Sequence, residues 1–240
     1  DRIPNQSLVL KPLAPPPSRT ELVYQTIRDS IRDCTLEPGK HLVQEELAAM
    51  LGVSRQPIQQ AMLLLKTDGL VVESGARGLY VAPLDPVQIG HHYQIRLVFD
   101  QLAAELVADR AAASPAFADD LRHQGEEILR VGEEARSVNA VEAVSQDVRF
   151  HTLLYEMSGN PLIAPAADLH WNFLRRVMVA VLLHAERGPV VWSQHREILG
   201  LLAAGKADEG RDLVTRHILG AKDALLDALA EHGFDATQPN

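Results

Sequence analysis

The 240-residue sequence predicts a mainly α-helical protein: an N-terminal winged helix-turn-helix whose wing is a small β-hairpin, followed by a C-terminal six-helix antiparallel bundle. Three observations predict it. Apolar residues recur at helical spacing along most of the chain, an extended pattern occurs in one place only, and Pro and Gly residues cut the long C-terminal stretch into six pieces. Taken in order, residues 1–18 hold Pro12, Pro15, Pro16 and Pro17 without periodicity and read as a flexible arm. Over 20–33, Leu22, Val23, Ile27 and Ile31 form one amphipathic stripe, and Glu37-Pro38-Gly39 marks the turn after it. Residues 45–51 form a short second helix, ended by Gly52, whose tolerance of positive φ permits a sharp turn. Ser54 is expected to cap a third helix over 55–68, with Ile58, Met62 and Leu65 on its inner face and Gly69 at its end. Leu70-Val71-Val72 and Leu79-Tyr80-Val81, joined through Gly75, Ala76, Arg77 and Gly78, read as a two-stranded wing. Past Pro83 and Pro86, helices are expected near 86–113, 115–135, 138–158, 161–186, 189–204 and 206–233, broken by Pro115, Gly159 with Pro161, Gly188 with Pro189, and Gly205. The expected division is an arm at 1–18, a winged helix-turn-helix domain at 19–82 and an all-helical domain at 83–240.

Composition narrows the function classes. Apolar residues make up 46% and charged residues 23%, which is globular, and no apolar run approaches the roughly 18 residues of a membrane span. Cys34 is the single cysteine, so a disulfide framework and a thiolate zinc cluster are both excluded and a reducing, cytoplasmic setting is expected. Leu8, Val9 and Leu10 are flanked at once by polar residues and prolines, so no secretion signal is read there. The net charge of -9 argues against a nucleic-acid partner until the chain is divided. Residues 1–82 carry 9 Lys and Arg against 9 Asp and Glu, whereas residues 83–240 carry 14 against 23, so the acidity belongs to the C-terminal part.

A helix-turn-helix lays its second helix in the major groove, with polar residues of that helix's N-terminus reaching base edges and phosphates. Ser54, Arg55, Gln56, Gln59 and Gln60 stand where that geometry needs polar groups, and Arg77 with Gly78 in the wing offers a minor-groove or phosphate contact. A plain helical subdomain is the competing reading. Leu36-Glu37-Pro38-Gly39, Gly52-Val53-Ser54-Arg55-Gln56-Pro57, Asp68-Gly69-Leu70-Val71 and Arg77-Gly78 together resemble the winged helix-turn-helix of the GntR superfamily of bacterial transcription regulators. The C-terminal part resembles the ligand domain of the FadR branch, the all-helical bundle called FCD, and the short linker suggests the six-helix, VanR-like subgroup. The chain departs from the family at one position: Ile58 is followed by Gln59 where the family commonly has an arginine. Gln pairs best with adenine N6 and N7, so the operator half-site is expected to differ from the family's usual one at that base.

The bundle carries a buried polar constellation. Asp147 and His151 lie four apart, on a helix face shared with Val144, Val148 and Leu154. His195 falls among Val191, Trp192, Ile198 and Leu202, and His217 among Leu213, Val214, Ala221 and Ala224. His195 precedes the Gly205 turn by 10 residues and His217 follows it by 12, so in an antiparallel pair the two sit at nearly equal depth. Three imidazoles and a carboxylate suit zinc or nickel, with manganese or iron as further divalent ions. The bland reading of each histidine is a core residue bonded to a backbone carbonyl. Asp147-x-x-Phe150-His151, His195 before Arg196 and His217 before Ile218 also resemble the FCD metal signature, and the resemblance implies that Asp147, His151, His195 and His217 are the ligands.

Arg96, within Tyr93-Gln94-Ile95-Arg96, resembles the family's effector-facing arginine; its plainer role is a partner for Asp100, four residues along. His170 is a rival to the ligand set and ranks as pocket lining, while Arg175 and Arg176 are weaker candidates because one of two adjacent arginines is expected to face solvent. Arg96, Asp100, His170 and Arg175 are thus the candidate effector contacts, and His91, His92, His123, His184 and His232 are assigned exposed or capping roles. The expectation that follows is a non-enzymatic regulator, a repressor, that binds a palindromic double-stranded operator as a homodimer and responds to a small organic acid at a divalent metal, with no membrane partner. A metal-assisted hydrolase or lyase, and a regulator with a purely structural bundle, are the alternatives.

Overall fold

A computed structural model describes residues 16–74, 78–182 and 190–231. The arm up to residue 15, Arg77 with the tip of the wing, His184, the Gly188-Pro189 break, His232 and the expected helix ends at 183–186 and 232–233 lie outside the described residues. The elements are α1 (Arg19–Arg32), β1 (His41–Leu42), α2 (Gln44–Leu51), α3 (Arg55–Thr67), β2 (Val71–Glu73), β3 (Leu79–Val81), α4 (Pro86–Ala113), α5 (Pro115–Ala135), α6 (Ala140–Met157), α7 (Ile163–Leu182), α8 (Val190–Ala203) and α9 (Ala207–Glu231). The protein is mainly helical, with a winged helix-turn-helix before a six-helix bundle.

Local chemistry sets these boundaries. The Ser18 hydroxyl accepts from the Glu21 N–H at the start of α1, Asp85 from Val87 at α4, Ser114 from Phe117 at α5 and Asn139 from Glu142 at α6. Pro86 and Pro115 occupy first-turn positions, where their missing N–H costs nothing. Gly52 ends α2 at φ 63°, the left-handed region that the tight turn requires. Two expectations need correction. Ser54 holds the cap position of α3 but its side chain makes no capping hydrogen bond. The wing is three-stranded rather than two-stranded, in the order β1-β3-β2, because His41 and Leu42 pair antiparallel with Tyr80 and Leu79. A two-residue strand carries no periodicity of its own, and only its distant partner reveals it.

Two apolar clusters form. Val23, Ile27, Ile31, Ile58, Met62, Leu65 and Val81 close the N-terminal unit, whereas Leu84, Tyr93, Val107, Phe150, Trp171, Ile198 and Ile218 belong to the bundle core. Cys34 crosses between them: it follows α1 at φ 59° and lies in the bundle cluster, its thiol donating to the Arg176 carbonyl at 3.5 Å. Burial pushes that thiol up to about 11. Arg176 itself is buried and donates to the Ala82 carbonyl at 3.0 Å and the Pro83 carbonyl at 3.4 Å, tying α7 to the connection between the two units. The expectation that one of the paired arginines faces solvent is therefore not met, since Arg176 is 1% exposed and Arg175 is half-buried with a wholly buried Nε.

Within the bundle, α5 and α8 approach closely because glycines line the contact. A Cβ built at Gly132 would meet the Trp192 ring at 2.0 Å, and one at Gly125 would meet Leu199 at 2.6 Å. That approach seats Trp192, and with it His195, against the core. In contrast, nothing lies within 4 Å of a Cβ at Gly220 on α9. Gly132→Ala is therefore expected to destabilise by about 1–3 kcal/mol through overpacking, whereas Gly220→Ala is expected to stabilise by up to about 1 kcal/mol through helix propensity. Urea denaturation of both variants checks the opposite signs.

Candidate metal centre and nucleic-acid interface

Three bundle helices bring the polar constellation together. Asp147 and His151 project from α6, His195 from α8 and His217 from α9, all four buried. The Nε2 atoms of His195 and His217 are 3.0 Å apart across the Gly205 hairpin, and Asp147 Oδ1 is 3.6 Å from His195 Nε2. One ligand-capable atom from each of His151, His195 and His217 lies within 4.8 Å of the others. Burial, reinforced by the neighbouring His195 and His151 rings, holds His217 well below the usual histidine range, so its imidazole is neutral. Neutral imidazoles beside a carboxylate are the donor set of borderline divalent ions, and Asp147 Oδ2 is buried without a hydrogen-bond partner. The residues present fit a metal ion. A cavity of about 20 Å³ abuts Asp147, lined by Val144, Met178, Leu182, Val191, Trp192 and Arg136.

Behind the histidines runs a second polar layer. Asp100 Oδ1 is 2.6 Å from His151 Nδ1, Tyr155 donates to Asp100 Oδ2 at 2.9 Å, and Arg96 Nη2 is 2.8 Å from His151 Nε2. The Arg96 guanidinium also lies 4.3 Å over the Trp171 ring. Burial alone would raise the Asp100 carboxyl, but His151, Arg96 and Tyr155 together bring it below the usual carboxylate range. Burial, with the Asp100 charge beside it, drives the Tyr155 phenol well above its ordinary value. Tyr93 Oη and Arg96 Nε, one helical turn apart on α4, are buried without a hydrogen-bond partner.

Sequence reasoning missed Tyr93, Tyr155, Trp171 and Gln194. Tyr155 extends the i, i+4 stripe of Asp147 and His151 by one turn and was within reach of that argument. Gln194 was not, because its partner is His217 Nδ1 on another helix, at 2.9 Å. His170 does not join the cluster: its Nδ1 is 3.0 Å from His92 Nδ1. His92 in turn stacks on Phe173, the rings 4.1 Å apart and 9° from parallel, so it is half-buried where an exposed role was expected. α4 faces α7 at this point, which one helix's periodicity cannot reveal. Arg175 lines a separate cleft with Arg32, Ser145 and Val179.

In the N-terminal unit, Ser54, Arg55, Gln56, Gln59, Gln60 and Gly78 are exposed. Gln59 and Gly78 share a groove of about 490 Å³ with Gln44, Leu63, Lys66 and Glu73, formed between α3 and the wing. Gln60 is engaged, its Oε1 accepting from the Thr20 hydroxyl at 2.7 Å, and Arg55 is paired with Glu45.

A winged helix-turn-helix fused to a helical bundle with a polar centre defines a DNA-binding transcription regulator. The comparisons give the family: residues 19–81 match the bacterial regulatory proteins of the gntR family and residues 91–220 match the FCD domain, so the chain belongs to the GntR-family regulators that carry an FCD domain. It is similar to an HTH-type transcriptional regulator in an unstable DNA locus of Streptomyces ambofaciens, 29% identical over 207 residues, spanning 85% of this chain and 83% of that protein. The HTH-type transcriptional repressor NanR of Cronobacter sakazakii is 26% identical over 234 residues, 89% of this chain and 87% of that one. Among solved structures, a GntR transcriptional regulator from Rhodococcus sp. RHA1 superposes with a TM-score of 0.73 at 25% identity, over 88% of this chain and 99% of that chain.

The His92–His170 pair generates a pH prediction. Burial, with His170 and His91 nearby, lowers His92 from its ordinary 6.5 to about 4, and burial lowers His170 as well. Between those two pH values the unfolded chain binds more protons at His92 than the folded one, so stability falls as pH drops from 6.5 towards 4. Calorimetric midpoints across that window are expected to decline less steeply in His92→Phe than in the wild type; equal slopes would contradict the assignment.

Proposed function

We propose that this regulator is a metal-dependent, carboxylate-responsive repressor acting as a homodimer on a palindromic operator, with residues 19–82 reading DNA and residues 83–240 sensing the effector. The observation that carries this reading is the convergence of His151, His195 and His217 beside Asp147, in the core of a bundle attached to a DNA-reading unit. Zinc or nickel suits three imidazoles and a carboxylate best, with manganese and iron as alternatives. Bound there, the ion would supply positive charge and open coordination positions to an organic acid. Asp147, His151, His195 and His217 would hold it. Arg96 would supply the guanidinium for the effector's carboxylate, and Tyr93 Oη, which lacks a partner, a further donor.

The path from sensor to DNA runs along α7. Trp171 packs against Arg96 and His151, and one and a half turns later Arg176 grips the Ala82 and Pro83 carbonyls. A shift of α7 moves the connection on which the DNA-reading unit is hung, and an effector that binds the two positions with different affinity selects between them. A second copy is needed because one short helix reads few base pairs, and two half-sites read together specify an operator. The outer face of α4 offers the contact. Ile95, Val98 and Leu102 are exposed at helical spacing, and the Gln101–Thr215 hydrogen bond with the Arg211–Glu105 pair sets α9 antiparallel to α4, bringing exposed Leu219 level with Val98. Six bundle helices among the described residues support the VanR-like placement. Among the described residues no helix is long and apolar enough to cross a membrane, and a regulator of this kind works in the cytoplasm.

Selection from random duplex DNA, followed by affinity measurements at fixed salt, tests the reading. The selected site is expected to be palindromic, and zinc plus one class of carboxylic acid is expected to change operator affinity by about tenfold or more. Gln59→Arg is expected to move the preferred base at one half-site position from adenine to guanine, and Val98→Glu to yield monomers that bind the operator weakly. Affinity indifferent to zinc and to every acid tried would refute the sensor.

A further inference from the structure

The tautomers of two of the three histidines follow from their partners. Arginine has donors only, so the 2.8 Å contact from Arg96 Nη2 requires His151 Nε2 to carry a lone pair. The His151 proton is then on Nδ1, where Asp100 Oδ1 accepts it at 2.6 Å. Asp100 is itself locked, since Tyr155 donates to its other oxygen at 2.9 Å and Arg96 Nε lies 3.4 Å from that same oxygen. His217 repeats the arrangement. Its Nδ1 is 2.9 Å from the Gln194 amide oxygen, an acceptor, which leaves the lone pair on Nε2, the nitrogen 3.0 Å from His195 Nε2. Each ring is held from a neighbouring helix: His151 of α6 from α4, and His217 of α9 from α8.

We infer that Asp100 and Gln194 are the positioning residues of the metal centre: they keep the protons of His151 and His217 on Nδ1, so that both rings carry an Nε2 lone pair that an ion would take over, from Arg96 Nη2 at His151 and from His195 Nε2 at His217, without either positioning residue touching it. The inference rests on the metal reading above and extends it to two residues outside the ligand set. It gives Asp100 a role other than effector contact, because His151, Tyr155 and Arg96 already take up both of its oxygens. A carboxylate or carbonyl behind a ligand imidazole fixes the ring and raises its basicity, and loss of such a partner typically weakens metal binding by about 10- to 100-fold.

The test uses the full chain with ¹⁵N-labelled histidine, recording the side-chain nitrogen shifts of His151 and His217 and the zinc affinity by competition with a chromophoric chelator. The wild type is expected to show both rings protonated on Nδ1. In Asp100→Asn the charged acceptor behind Nδ1 is lost while Arg96 still requires the lone pair on Nε2, so His151 keeps its tautomer but its Nε2 becomes less basic, and zinc affinity falls by about 10- to 100-fold. Gln194→Met removes the acceptor behind His217 Nδ1, which admits the Nε2–H form of that ring and lowers zinc affinity likewise, and Gln194 is half-buried, so that variant folds even where a change at Asp100 is not tolerated; Gln194→Glu keeps the acceptor and restores both tautomer and affinity. Helical content and melting are recorded for every variant. Nε2–H rings in the wild type, or variants that leave zinc affinity unchanged, overturn the inference. A wild type with the expected tautomers that binds no zinc overturns the metal reading on which it rests.

Discussion

Polar and titratable groups buried in a helical bundle must find their partners inside it, because each one left alone costs more than most single contacts contribute. Arg96, Asp100, Asp147, His151, His195 and His217 are all buried in one core that is otherwise Leu, Val, Ile, Ala and aromatic. Four of the six bundle helices supply them, so the constellation is assembled only when α4, α6, α8 and α9 are packed in register. The demand also acts in reverse: hydrogen bonds from α4 to α6 and from α8 to α9 fix how those helices slide against one another. Apolar packing alone tolerates such sliding more readily.

The same logic explains Arg176. A buried guanidinium is expensive, and two backbone carbonyls of the connection between the units take up its charge at Ala82 and Pro83. An apolar side chain would fill that space at lower cost. What the arginine adds is direction, since its fork seats the connection at one place on α7, while the Cys34 thiol fastens the end of α1 to the same residue's carbonyl. α7 thereby touches the polar core at Trp171 and the DNA-reading unit at Arg176, and a helix is stiff over that distance.

Much of this was legible in the sequence where one element decided the matter. Pro86 and Pro115 bounded α4 at its observed ends, and Gly205 set the hairpin that put His195 and His217 at equal depth. Asp147 and His151 shared a stripe because a helix turns at a fixed pitch. What escaped was pairwise and distant. β1 exists only by virtue of β3, the His92–His170 pair only because α4 faces α7, and the Gln194 contact only because α8 faces α9. Adjacent arginines likewise gave no hint that Arg176 would be enclosed, since its acceptors belong to a connection 93 residues away. Periodicity reports which face of a helix is buried and is silent on what the face meets.

The account stands on a metal ion in the bundle, and the most direct measurement is elemental analysis of untagged protein purified without chelator, beside the Asp147→Ala, His195→Ala double variant. One equivalent of divalent metal per chain in the wild type and none in the variant is the predicted result. Equal metal in both proteins, or none in either, would contradict it.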